Sequence, residues 1–69
     1  MAEAVYTQIA DDLRAQITDG ALRPGDDVPT EAELAERWHT SRGPIRNALA
    51  ALRSEGLIET HRGRPARVV

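Results

Sequence analysis

The sequence predicts a mainly α-helical domain in which three helices precede a small β-hairpin. Apolar residues recur at helical spacing in three segments of the 69-residue chain, and capping residues, glycine or proline separate these segments. Two short β-prone runs near the C-terminus flank an arginine-rich turn, which is typical of a hairpin. A chain of this length can build one small core. We therefore expect one domain over residues 1–69.

The first predicted helix covers residues 3–19 and ends at Gly20, a typical helix stop. Its apolar side chains recur every fourth residue and would face the core: Val5, Ile9, Leu13 and Ile17. The following loop bends at Pro24-Gly25, with Leu22 expected to point inward and Val28 to form a very short strand.

The second predicted helix begins at Thr30. Thr30 and Glu33 are spaced as a capping box, in which each residue satisfies a backbone N–H of the other. The predicted buried face of this helix consists of Leu34, Ala35 and Trp38. The stretch from His39 to Ser41 then breaks the helical pattern.

The third predicted helix carries one apolar face and one arginine face. We expect Ser41 to cap its start, Pro44 to be tolerated in its first turn, and Gly56 to end it. The apolar positions follow helical spacing: Ile45, Ala48, Leu49 and Leu52. The arginines occupy a different stripe, and small residues such as Gly43 allow close approach: Arg42, Arg46 and Arg53. Such a helix suits the major groove of DNA, where arginine contacts guanine or phosphates.

The predicted hairpin joins strand-like residues 57–61 and 66–69 through Arg62-Gly63-Arg64-Pro65. Three helices followed by a basic hairpin describe a winged helix-turn-helix, with the hairpin as the wing. Two functions remain open for this architecture: binding of double-stranded DNA, or a winged-helix protein-interaction module without DNA binding. The interaction module predicts a neutral wing, so arginines on both the third helix and the wing favour DNA.

The charge distribution supports that preference although the net charge is −2. Residues 1–36 carry nine acidic residues and two arginines, a net charge of −7, whereas residues 37–69 carry seven arginines and two acidic residues, a net charge of +5. A local basic face is what a polyanion requires. The alternative is that these arginines form an ordinary solvated surface.

Other chemistries lack a sequence signal. The chain has no cysteine, and its two histidines have no third ligand at a suitable spacing, so we expect no metal site. No nucleophile with a base and an orienting acid is evident, and we expect neither catalysis nor a cofactor. No apolar run approaches the ~20 residues of a membrane span, and the expected location is cytoplasmic.

The sequence also resembles the GntR family of bacterial transcription regulators over nearly its whole length. Four short motifs at matching spacings carry the resemblance: Pro24-Gly25-Asp26, Pro29-Thr30-Glu31, Ser41-Arg42 with Arg46 and Ala48-Leu49, and Glu55-Gly56-Leu57-Ile58. The resemblance implies an N-terminal domain that binds a palindromic operator as a dimer, in a repressor. It also implies an effector-binding and dimerising C-terminal domain, which these 69 residues do not include.

The resemblance and the arginine pattern together suggest roles for individual residues. On the third predicted helix, Arg42 and Arg46 would read bases, and Gly43 would allow close approach to the DNA. Phosphates would be held by Thr30, Thr40 and Ser41. The residues that would enter the minor groove are Arg62, Gly63 and Arg64, and Arg53 or Arg67 would lie near the DNA backbone. The chain departs from the family at Trp38-His39-Thr40, where Phe-Gly-Val is usual. We expect Trp38 to fill the core position of the phenylalanine, and His39 to replace a glycine of left-handed backbone.

Overall fold

The computed structural model describes residues 4–69. Its elements, in chain order, are the helices α1 (Val5–Asp19), α2 (Glu31–Arg37) and α3 (Arg42–Ser54) and the strands β1 (Ile58–Glu59) and β2 (Arg67–Val68). The expected start of the first helix at residue 3 lies outside the described residues. The predicted order of three helices and a hairpin is confirmed, although both strands are shorter than the sequence indicated.

One apolar core joins the helices to the hairpin. The helices α1 and α3 pack against each other, α2 packs on α3, and β1 adjoins α3. The buried residues of the core come from every helix and strand and from the α1–α2 loop: Ile9, Ala10, Leu13, Val28, Leu34, Ile45, Ala48, Leu52, Ile58 and Val68. Burial of such side chains from water is the main force that stabilises a small domain.

The N-terminal turn of α1 lies at the edge of this core. Val5 was expected to be part of the apolar stripe, but it is 43% exposed, as is its neighbour Tyr6. Ile9, one turn later, is completely buried. The prediction for Val5 was wrong because the helix begins there, one turn before its stripe reaches the core. At the other end, the predicted helix stop at Gly20 is confirmed, and Gly20 adopts a left-handed conformation with φ +88°.

The hairpin is tied to the α1–α2 loop as well as to itself. β1 and β2 are antiparallel, with Ile58 opposite Val68. On the other side of β2, the Val28 N–H donates to the Ala66 carbonyl at 2.7 Å, and the Val68 N–H donates to the Asp26 carbonyl at 3.0 Å. The short strand expected at Val28 is thus an isolated bridge between residues 27 and 67. This pairing fixes the hairpin against the helical part of the domain.

Candidate nucleic-acid interface

The start of α2 has the predicted capping box. The Thr30 hydroxyl oxygen accepts a hydrogen bond from the Glu33 N–H at 3.1 Å, and the Glu33 carboxylate accepts from the Thr30 N–H at 3.0 Å. The hydrogen bond from the Thr30 N–H, followed by the interaction of the Thr30 hydroxyl group with the same carboxylate, holds the pKa of Glu33 below its usual value.

The turn between α2 and α3 depends on a strained residue. His39 has φ +51°, and it is the only residue other than glycine with positive φ in the described residues 4–69. His39 thus keeps the left-handed conformation of the glycine that it replaces, and this conformation lets the Thr40 N–H return to the Ala35 carbonyl at 3.0 Å. Trp38, just before the turn, packs half-buried against the core as predicted. Its buried Nε1 has no acceptor within the described part of the chain.

Ser41 precedes α3 at the predicted capping position, but its side chain makes no capping hydrogen bond. The expectation that Ser41 caps the helix was therefore wrong at the level of the side chain. A capping oxygen accepts from the N–H of the second or third helical residue, and the third residue here is Pro44, which has no N–H. The Ser41 hydroxyl is exposed and lies at the N-terminus of the longer of the two turn-linked helices.

The helix α3 presents its arginines on the side opposite the core. Its inner face is fixed by three completely buried side chains: Ile45, Ala48 and Leu52. Arg42, Arg46 and Arg53 are exposed. The Arg46 Nε donates to the Glu31 carboxylate at 3.1 Å, whereas the Arg53 Nη1 donates to the Thr60 hydroxyl at 3.5 Å. Within residues 4–69, Arg42 has no hydrogen-bonded or ionic partner.

The wing carries two further free cations. Gly63 has φ +76° in the turn, and the Arg64 N–H closes this turn on the His61 carbonyl at 3.1 Å. Arg62 and Arg64 are exposed, and neither has an acidic partner in the part of the chain that the structure describes. Arg67 differs, because its Nε donates to the Asp27 carboxylate at 3.3 Å and so helps to hold β2 to the loop.

Sequence reasoning missed the acidic partners of Arg46 and Arg67. Glu31 and Asp27 are 15 and 40 residues from the arginines that they contact. No sequence spacing indicates such pairs, since only the packing of α2 on α3, and of the loop on β2, creates them.

The described residues contain neither a metal-binding cluster nor a membrane-spanning helix. Among residues 4–69, no group of three or more histidine, aspartate or glutamate side chains is arranged to hold a metal ion. None of the described helices combines the length and the apolar character needed to cross a bilayer.

Known proteins share both this sequence pattern and this fold. The family model described as bacterial regulatory proteins, gntR family, matches residues 5–68. The mannosyl-D-glycerate transport/metabolism system repressor MngR of Escherichia coli strain K12 is 42% identical over 59 residues, which are 86% of this chain and 25% of that protein. The HTH-type transcriptional repressor NagR of Bacillus subtilis strain 168 is 42% identical over 60 residues, 87% of this chain and 25% of NagR. The chain thus spans about a quarter of the length of these relatives.

Solved structures of DNA-binding regulators also share this fold. The DNA-binding domain of AraR in complex with operator ORR3 superposes with a TM-score of 0.96 at 30% identity, covering 100% of this chain and 83% of that chain. YtrA from Sulfolobus acidocaldarius, a GntR-family transcription factor, superposes with a TM-score of 0.89 at 32% identity, covering 99% of this chain and 71% of that one. The predicted winged helix-turn-helix is confirmed, and the chain belongs to the gntR family of bacterial regulatory proteins.

Proposed function

We propose that this chain is the DNA-binding unit of a transcription regulator and that it recognises a palindromic operator in double-stranded DNA. The observation that carries the proposal is a set of exposed arginines on α3 and the wing that have no acidic partner among residues 4–69, namely Arg42, Arg62 and Arg64. They belong to a domain that superposes on an operator-bound relative with a TM-score of 0.96. Repression is the regulatory sign that we propose, since MngR and NagR are both named repressors.

We propose that α3 lies in the major groove with Arg42 and Arg46 reading base edges. The buried residues on the opposite face of α3 support this role, because they hold both side chains on one rigid helix. Gly43 adds no side chain between the two arginines, so the helix backbone can approach the DNA closely. Arg53 would contact the DNA backbone near the wing.

Phosphate contacts would come from hydroxyl groups at the two helix starts. Ser41 is exposed and its hydroxyl is not used in capping, and Thr30 is exposed at the start of α2. Thr40, between them in the turn, is the third proposed phosphate ligand. Such contacts would fix the position of α3 without specifying sequence.

The proposed role of the wing is to insert Arg62, Gly63 and Arg64 into the minor groove. A turn with a glycine and two guanidinium groups that lack an acidic partner in the described residues matches a narrow, strongly negative groove. Readout there distinguishes little beyond A·T from G·C, so the wing would contribute mainly affinity.

We further propose that the regulator binds its operator as a homodimer through a C-terminal domain beyond these residues, in the cytoplasm, without a cofactor or catalysis in this domain. Relatives about four times as long as the matched region support a further domain. Within the described residues, the exposed large apolar side chains are Val5, Tyr6 and Val69, which is little surface for a stable dimer.

Selection from a pool of randomised duplexes tests this proposal. The purified chain should enrich a half-site, and paired half-sites should appear as an inverted repeat. Binding to generic duplex should weaken steeply as salt rises. A protein-interaction module would instead enrich no sequence and show no salt-dependent duplex binding, and that result would overturn the proposal.

A further inference from the structure

The ion pair between Glu31 and Arg46 connects the two helices of the proposed reading unit. Glu31 is the first residue of α2, and Arg46 lies in the second turn of α3. The Glu31 side chain is 37% exposed and the Arg46 side chain 64%, so the pair lies at the surface. The capping box of α2 uses Thr30 and Glu33 instead of Glu31. In the described residues, Arg46 is the only arginine of α3 with an acidic partner.

The geometry of this pair leaves most of the guanidinium group unused. Glu31 accepts one hydrogen bond, from Nε at 3.1 Å, and no bond from Nη1 or Nη2 to the carboxylate accompanies it. A guanidinium group has five N–H donors in a rigid plane, four of them on the two Nη atoms. The Nη atoms can therefore still bind the O6 and N7 acceptors of a guanine while Nε stays with Glu31.

The Glu31 carboxylate has a different effect on the binding of Arg46 to phosphates than on its binding to bases. A guanine edge offers uncharged acceptors, whereas a phosphate carries a full negative charge that Glu31 repels at short range. On DNA of the wrong sequence, Arg46 has no guanine edge and would be attracted mainly to the sugar-phosphate backbone. The Glu31 carboxylate opposes contact between Arg46 and the phosphates, and it competes with them for the Arg46 guanidinium group. Repulsive elements of this kind increase specificity by weakening the wrong complex.

We propose that Glu31 is a specificity-determining residue that restrains Arg46 from binding phosphates. This inference rests on the proposed sequence-specific DNA binding. It assigns Glu31 a role in lowering generic affinity, which is distinct from direct base contact and from helix capping.

The test compares Glu31→Gln with wild type on the selected operator and on a scrambled duplex at several salt concentrations. Glutamine keeps the shape and an oxygen acceptor for the Arg46 Nε but removes the charge. We expect scrambled-duplex affinity to rise by about three- to tenfold and its salt slope to steepen by about one phosphate contact. Operator affinity should rise less, so the ratio of the two affinities should fall. Glu36→Gln is the matched control, because Glu36 is exposed on the same helix and has no side-chain partner in the described residues.

The double variant Glu31→Gln/Arg46→Ala identifies the residue through which Glu31 acts. The gain in scrambled-duplex affinity should disappear when Arg46 is absent. The inference is overturned if the gain persists without Arg46, if Glu36→Gln gives an equal gain, or if Glu31→Gln only weakens operator binding. Failure of wild type to prefer the selected duplex would overturn the proposed function instead, so the two failures are distinguishable.

Discussion

The Arg14 guanidinium group joins α1 to the end of α3 by donating two hydrogen bonds to the Glu55 carboxylate, at 2.8 and 2.6 Å. A third bond, of 2.7 Å, runs from Arg14 to Asp11 on its own helix. Two parallel bonds give this pair a defined geometry that single surface ion pairs lack. Glu55 immediately follows α3, so the pair holds the helix that carries the proposed reading arginines against the helix that supports it.

This pair predicts a pH dependence of stability. The hydrogen bonds from Arg14 hold the pKa of Glu55 below its usual value. The contribution of the pair is therefore present above the ordinary glutamate pKa of about 4.3, and it is lost as the pH falls through the lower pKa of the folded state. We expect Glu55→Gln to lower the melting temperature at pH 7, with the difference from wild type shrinking below about pH 4. Thermal melts of both proteins from pH 3 to 7 measure this difference in melting temperature. A difference that is independent of pH would contradict a stabilising role for the ionised Glu55.

The second prediction concerns the strained turn at His39. A left-handed conformation costs a residue with a side chain about 1–2 kcal/mol, and the greater freedom of glycine in the unfolded chain cancels part of any gain. We expect His39→Gly to raise the free energy of unfolding by roughly 0.5–1 kcal/mol. His39→Ala is the control, since it removes the imidazole but keeps the Cβ atom, and it should give no such gain. Urea unfolding compares the three proteins, and equal stability of the two variants would refute the argument.

The third prediction concerns the capping box. Thr30→Ala removes the oxygen that accepts from the Glu33 N–H and should lower the free energy of unfolding by about 1 kcal/mol. Thr30→Ser retains the hydroxyl group and should retain most of that stability. Chemical denaturation distinguishes the two, and a serine variant as unstable as the alanine variant would show that the methyl group matters more than the cap.

The fourth prediction concerns the unpaired Trp38 Nε1. A buried N–H without an acceptor costs about 1–3 kcal/mol, which offsets the packing gained from the larger indole ring. Trp38→Phe should therefore change stability by less than about 1 kcal/mol, whereas Trp38→Ala should lose about 3 kcal/mol. Circular dichroism measures the unfolding of both variants, because each variant loses the only tryptophan and with it the fluorescence signal. A phenylalanine variant as unstable as the alanine variant would mean that Nε1 has an acceptor.

The sequence predicted those features that depend on local spacing. The apolar periodicity of α1 and α3 and the Thr30-to-Glu33 spacing are local, and the structure confirms them. The family resemblance showed that His39 replaces a glycine, but only the structure shows that the histidine adopts the left-handed conformation itself.

Features that depend on tertiary packing were not predictable in the same way. Val5 has the right spacing but lies one turn beyond the core, and the Glu31–Arg46 pair requires α2 to pack on α3. The strands are shorter than the sequence indicated: β1 and β2 have two paired residues each, and the α1–α2 loop adds an isolated bridge. The missing Ser41 cap is different, because Pro44 in the sequence already removes one of the two N–H groups that the cap could bind.

We propose that α3 supplies sequence specificity and that the wing supplies generic affinity for duplex DNA. Fluorescence titrations of wild type, Arg46→Ala and the double variant Arg62→Ala/Arg64→Ala, on operator and scrambled duplexes at several salt concentrations, test it most directly. We expect Arg46→Ala to weaken operator binding by about 1–3 kcal/mol and scrambled binding much less, with unchanged thermal unfolding. The wing variant should weaken both duplexes alike and reduce the salt slope by roughly one to two phosphate contacts. A wing variant that loses operator affinity alone at an unchanged salt slope, or an Arg46→Ala variant with wild-type operator affinity, would contradict the account.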